Sequence, residues 1–71
     1  MKKTQNEKIL DYIDEHGSIT PVDAFRDLGI TRLAARIHDL RMDGFSITGE
    51  MVEGQDRFGD KVRFMSYRRA V

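Results

Sequence analysis

Between Thr20 and Gly44 the chain reads TPVDAFRDLGITRLAARIHDLRMDG, a stretch with room for little except two short helices meeting at a tight turn. Thr20 offers a side-chain oxygen to the free N–H groups of a first helical turn. Pro21 suits the first helical position, and Asp23 puts a carboxylate near the positive helix end. Leu28 precedes Gly29, which readily takes the left-handed conformation that ends a helix, and Thr31 offers a fresh cap two positions on. In the second helix of the pair Leu33, Ile37 and Leu40 share one stripe, Arg41 brings a cation to the last turn, and Gly44 closes it.

The flanks supply what this pair needs to bury its apolar stripes. Thr4 and Glu7 form a capping-box pattern, and Ile9, Leu10 and Ile13 repeat at helical spacing until Gly17. Glu7, Asp11, Asp14 and Glu15 make the outer face of this helix acidic, which turns it away from any phosphate backbone. Ser18 and Ile19 read as a connector with at most a residue or two of edge strand. The next helix is expected to give Val22, Phe25 and Leu28 to the core, with small Ala24 allowing a neighbouring helix close.

After Gly44 the pattern turns extended. Phe45, Ile47, Thr48, Met51 and Val52 favour one strand, and Val62, Phe64, Met65 and Tyr67 another, around the polar GQDRFGD loop. Strict alternation puts Val62 and Phe64 on a packing face and Lys61, Arg63, Tyr67 and Arg69 on a basic one. The expectation is an α+β fold in one domain over residues 1–71. Helices span about 5–16, 21–28 and 32–43, followed by a two-stranded antiparallel β-hairpin with strands at about 46–53 and 60–68.

At 71 residues only about 60% of the unfolded surface can be buried, which disfavours a large enclosed active site, and no enzymatic activity is expected. The absence of cysteine removes disulfides, thiolate metal sites and cysteine nucleophiles and fits a reducing compartment. No apolar run reaches the roughly 18 residues needed to span a bilayer, so no membrane partner is expected and the chain reads as cytoplasmic. Twelve basic residues face twelve acidic ones, a balance that lends nucleic-acid binding no support by itself. The distribution is uneven, however. Residues 1–28 hold four basic and six acidic side chains and residues 29–71 eight and six, and between 57 and 69 only Asp60 opposes Arg57, Lys61, Arg63, Arg68 and Arg69.

With Leu33, Ile37 and Leu40 inward, 100° per residue puts Thr31, Ala35, His38 and Met42 on the opposite side, with Arg32, Arg36 and Asp39 along one flank. These are the candidate DNA-facing positions. Small Ala34 and Ala35 permit close approach, Ala35 can touch a thymine methyl, Arg32 can reach a guanine edge or a phosphate, and Asp39 can accept from cytosine. The plainer alternative is a solvated helix face with alanine chosen for propensity. Arg36 and Arg41 have a plain alternative of their own, stems on the core and heads paired with Asp39 or Asp43, which is preferred for Arg41. Arg57, Lys61 and Arg63 suit phosphate contacts from the hairpin, against plain solubility. His16 and His38 lack metal-site spacing, Asp14 and Glu15 have no pocket, no phosphate-binding glycine loop is present, and neither metal nor cofactor is expected. Phe58, an apolar ring in a polar loop, must either fold back onto the core or meet a partner.

A helix-turn-helix followed by a hairpin is the arrangement of winged-helix domains. The segment RIHDLRMDGFSI, Arg36 to Ile47, resembles their passage from recognition helix into first wing strand. ITPVDAFRDLGITRLAARIHDLR is similar to small helix-turn-helix proteins of bacteriophages and prophages. Leu33 and Ile37 lie four and eight positions after Gly29, closer than in ordinary helix-turn-helix segments, so the turn is trimmed and the docking angle of the second helix stays open. The resemblance implies a DNA-binding regulatory protein, such as a transcription regulator or excisionase-like factor. Double-stranded DNA is then the partner, with the recognition helix in the major groove and the wing on the backbone. The alternative is a protein-interaction module, an antirepressor or host-factor binder. Monomer and homodimer remain equally compatible with the chain.

Overall fold

The computed structural model describes residues 3–70. It comprises α1 (Gln5–His16), α2 (Pro21–Asp23) running directly into a π-helical turn (Ala24–Leu28), α3 (Leu33–Met42), β1 (Ile47–Gln55) and β2 (Lys61–Arg69). The strands pair antiparallel, from Ile47 opposite Arg69 to Gln55 opposite Lys61, which leaves residues 56–60 as the loop. Three helices followed by a two-stranded hairpin is the expected order.

Both N-terminal caps form as their sequences dictate. The Thr4 hydroxyl accepts the Glu7 N–H at 3.2 Å while the Glu7 carboxylate accepts the Thr4 N–H at 3.3 Å, and Thr20 and Asp23 repeat the exchange at 3.1 Å each way. At the far end of α3 the Gly44 N–H donates to Arg41 and the Phe45 N–H to Leu40, a Schellman closure that turns the chain into β1.

The start of α3 departs from expectation. Gly29 takes φ +69, its N–H donates to the Phe25 carbonyl, and the Ile30 N–H reaches back to Ala24 at 3.0 Å. Ile30 is thereby buried, and Thr31 and Arg32 must span the whole connection. Thr31 is not the cap: Arg32 holds that position without any side-chain bond, and the helix begins at Leu33.

The second helix also buries a different face from the expected one. Ala24 is fully enclosed and Leu28 half-buried, whereas Phe25 stands 63% exposed and Val22 is exposed as well. Phe25 and Val22 point away from the side that Ala24 marks as inward, while Leu28, one turn on, comes back toward it.

The hairpin face is corrected too. Tyr67, expected on the basic side, is buried, with Met65 half-buried beside it, so the face carrying Lys61, Arg63, Met65, Tyr67 and Arg69 is the one that meets the helices at its base. Val62 and Phe64 lie on the other face. Ile19 fixes this orientation by exchanging both backbone hydrogen bonds with Tyr67, at 2.8 and 2.9 Å. The core then consists of Ile9 and Ile13 from α1, Ile19, Ala24, Ile30, then Leu33, Ile37 and Leu40 from α3, with Ile47 and Tyr67. Strands of nine residues at about 3.3 Å per residue make an arm about 30 Å long, and only its base is covered, in a molecule 40 Å in its longest dimension.

A polar clasp ties α1 to the π-helical turn. Arg26 donates to Asp27 at 2.9 and 3.1 Å and to Asp23 at 2.9 Å, and the Tyr12 hydroxyl donates to Asp27 at 2.7 Å. Arg26 first, and Tyr12 second, hold the Asp27 carboxyl down at about 2. A carboxyl lowered by folding stabilises the protein above its ordinary value of 3.8, and that contribution is lost as pH falls through about 2. Asp27→Asn is therefore expected to flatten melting temperature against pH between about pH 4 and pH 2 relative to the parent. The change should be small because the clasp is solvent-exposed. An unchanged acid limb would show that the clasp contributes nothing.

Candidate nucleic-acid interface

α3 presents one buried and one open side. Leu33, Ile37 and Leu40 are buried, while Ala34, Ala35, His38 and Met42 are exposed, and no part of the hairpin covers them. Thr31 and Arg32 are exposed in the connection immediately before the helix. The open side of α3 is low in relief. Two methyl groups and an imidazole allow the helix axis to come near a groove floor, with a guanidinium at the N-terminal end for a guanine edge or phosphate. Among the described residues Arg32 has no ion-pair partner, so its head is available.

Arg36 and Asp39 are placed differently. They pair with each other at 3.1 Å along the flank, and both are half-buried. Any contact from Arg36 to a phosphate or base must first release Asp39. Arg41 is exposed, and its head finds the Ile47 carbonyl, at 3.1 and 2.9 Å, instead of Asp39 or Asp43. The reason is local: the Schellman closure brings the first residue of β1 back beneath the end of α3, where an orphan carbonyl meets a five-donor head.

On the hairpin, Arg57 lies in the loop and Lys61 opens β2, both exposed and without ion-pair partners among the described residues. Arg63 instead faces Glu53 across the strands at 3.5 Å. At the base Arg69 is bound to Asp14 at 3.0 Å and stands over the Phe45 ring, 5.7 Å from its centroid. Arg68 on the opposite face is exposed and unpaired among the described residues. Arg68 is not among the residues expected at the interface, and strand register alone separates it from the engaged Arg69. Ala34, expected only to permit close approach, is exposed and widens the open helix surface.

Phe58 does not fold back. It is 82% exposed at the loop apex, between the two free cations.

No described helix is long and apolar enough to cross a membrane, and among the described residues no group of three His, Asp or Glu side chains converges as a metal site would require. A family model described as a winged helix-turn-helix domain matches residues 4–67. No curated protein and no solved structure gives a significant match.

Proposed function

The chain belongs to the winged helix-turn-helix domain family, and from that membership we propose that it is a DNA-binding regulatory protein that lays α3 in the major groove and rests its wing on the adjacent backbone. Regulators of this size, repressors and excisionase-like factors among them, are the kind that phages and prophages use. The observation carrying the proposal is the open surface of α3, where Ala34, Ala35 and His38 stand clear of the wing and Arg32 is unpaired among the described residues. Thr31, Arg32, Ala35 and His38 are assigned to the groove. Arg57 and Lys61 are assigned to phosphates, and Arg36, Asp39 and Arg63 act only where DNA displaces their present partners.

Selection from a random-oligonucleotide pool by the purified protein, at two salt concentrations, tests this directly. Enrichment of one sequence is expected. Arg32→Ala should weaken binding to it by about five- to hundredfold, the range of a lost guanine contact. Ala35→Glu should abolish measurable binding by placing a carboxylate against the groove, and melting temperatures should be unchanged because both residues are exposed. Removing Arg57 and Lys61 together should lower the log–log salt slope by about 1.8, the contribution of two neutralised phosphates. Nanomolar binding that survives Arg32→Ala and Ala35→Glu together refutes the assignment of α3.

A second reading, a protein-docking module, draws on the zero net charge and on exposed Val22 and Phe25 on the second helix. Absence of any salt-dependent duplex binding decides in its favour.

A further inference from the structure

We propose that Phe58 is a wedge: the wing tip enters the minor groove and slides this ring between two stacked base pairs, bending the duplex. The inference rests on the DNA-binding reading above and adds a mode of binding that a recognition helix does not supply.

The loop is built to hold the ring outward. The Asp56 carboxylate accepts the Phe58 N–H at 2.8 Å and the Asp60 N–H at 3.0 Å. The Asp56 N–H donates to the Asp60 carbonyl at 3.0 Å, and the Gly59 N–H to the Asp56 carbonyl at 3.1 Å, with Gly59 at φ +83 closing the turn. Four hydrogen bonds thus fix five residues, and little ordering entropy remains to be lost when the tip docks. The side chain supported by this frame is an apolar ring with no contact to the core, at the far end of an arm about 30 Å long. Stability of the isolated protein gives no reason for it to be there.

The surroundings select the partner. Phe58 is the exposed apolar side chain of the loop, and Val62 and Met51, also exposed, lie on opposite faces of the strands, so the tip offers no contiguous patch of the kind a stable protein interface needs. Arg57 precedes the ring and Lys61 follows it, both unpaired among the described residues; of the loop's two acidic residues Asp56 turns its carboxylate into the loop, and Asp60 stays exposed beside Lys61. Cations on either side of one planar apolar group suit two phosphate strands flanking a stack of π faces. Phenylalanine is among the side chains that open base steps from the minor groove, and flexible pyrimidine–purine steps such as TA yield most easily.

The test uses the full chain and two long duplexes of equal length, carrying the sequence enriched in the selection at the middle or at one end, compared by gel mobility. Wild type should slow the complex with the central site relative to the one with the end site, by an amount matching a bend of about 20° or more. Phe58→Ala should remove the bend and weaken binding about tenfold, the scale of one lost ring–base stack. It should leave the salt slope and melting temperature unchanged, because the ring carries no charge and touches nothing in the fold. Phe58→Leu should keep most of the bend, since leucine also wedges. Binding with an equal bend by wild type and Phe58→Ala overturns the wedge while the DNA-binding reading stands. Loss of affinity in Phe58→Ala without any bend by wild type also overturns it, and makes the ring a contact outside the stack. Failure of wild type to bind any duplex removes both readings together.

Discussion

Ile37→Ala is expected to lower the unfolding free energy by about 2 to 5 kcal/mol, the range for emptying a fully enclosed aliphatic site. Ile37 is 1% exposed at the centre of α3, a helix that packs against α1 and β1. A 71-residue domain has about 4 to 11 kcal/mol of stability in total, so the loss takes a large share of it and brings the melting transition close to working temperature. Urea denaturation followed by far-ultraviolet circular dichroism measures the change. Ile37→Val, which removes one methyl, should cost about 0.5 to 1.5 kcal/mol. The contrast with Ala35→Glu, two residues away and thermally silent, is what makes the pair informative. A helix free to rotate would give the two substitutions similar effects, and equal melting temperatures would refute the facing assigned to α3.

Tyr67→Ala should be as damaging, at about 3 to 5 kcal/mol, because that residue joins the wing to the helices in two ways. Its ring is buried with the helical core and lies over Gly49 of β1, where even a methyl group would come within 3.2 Å of the ring carbons. Its backbone closes the bridge with Ile19. Losing the ring empties the space between α1 and the hairpin and leaves the bridge without the packing that shields it from water. Amide hydrogen exchange at Ile19 and Tyr67 should accelerate along with the fall in stability, since both N–H groups serve that bridge. Tyr67→Phe keeps the ring and should cost less than about 1 kcal/mol. A Tyr67→Ala protein as stable as the parent would mean that the hairpin stands on its other face, the one carrying Val62 and Phe64.

That correction shows where reading along the chain stops. Alternation divides a strand into two faces but does not say which face meets the helices, and the density of basic residues pointed to the wrong one. Lys61 and Arg63 share the face of Tyr67, yet they lie on the free half of the arm, so one face is core at its base and solvent farther out. The second helix misled for a comparable reason. Val22 and Phe25 are the larger apolar side chains, yet small Ala24 is the one enclosed. Free and engaged cations also look alike in sequence. Arg32 and Arg36 are both arginines beside the apolar stripe, and only coordinates show that one is unpaired among the described residues while the other holds Asp39.

What could be read directly was most of what is governed by neighbours within about a turn: the Thr4–Glu7 capping box, the Thr20 cap, the Gly29 and Gly44 stops, the inward stripe of α3 and the hairpin after Gly44, though not the start of α3, where Arg32 replaces Thr31 as the cap. These depend on hydrogen bonds and side-chain periods between residues three to five apart, which a linear string displays. The inward choice of Ala24 and Tyr67, the pairing of Ile19 with Tyr67 and the exposure of Phe58 join or separate residues distant in the chain. They follow from how closely the elements pack, a quantity that emerges only when all the side chains compete for the same small interior.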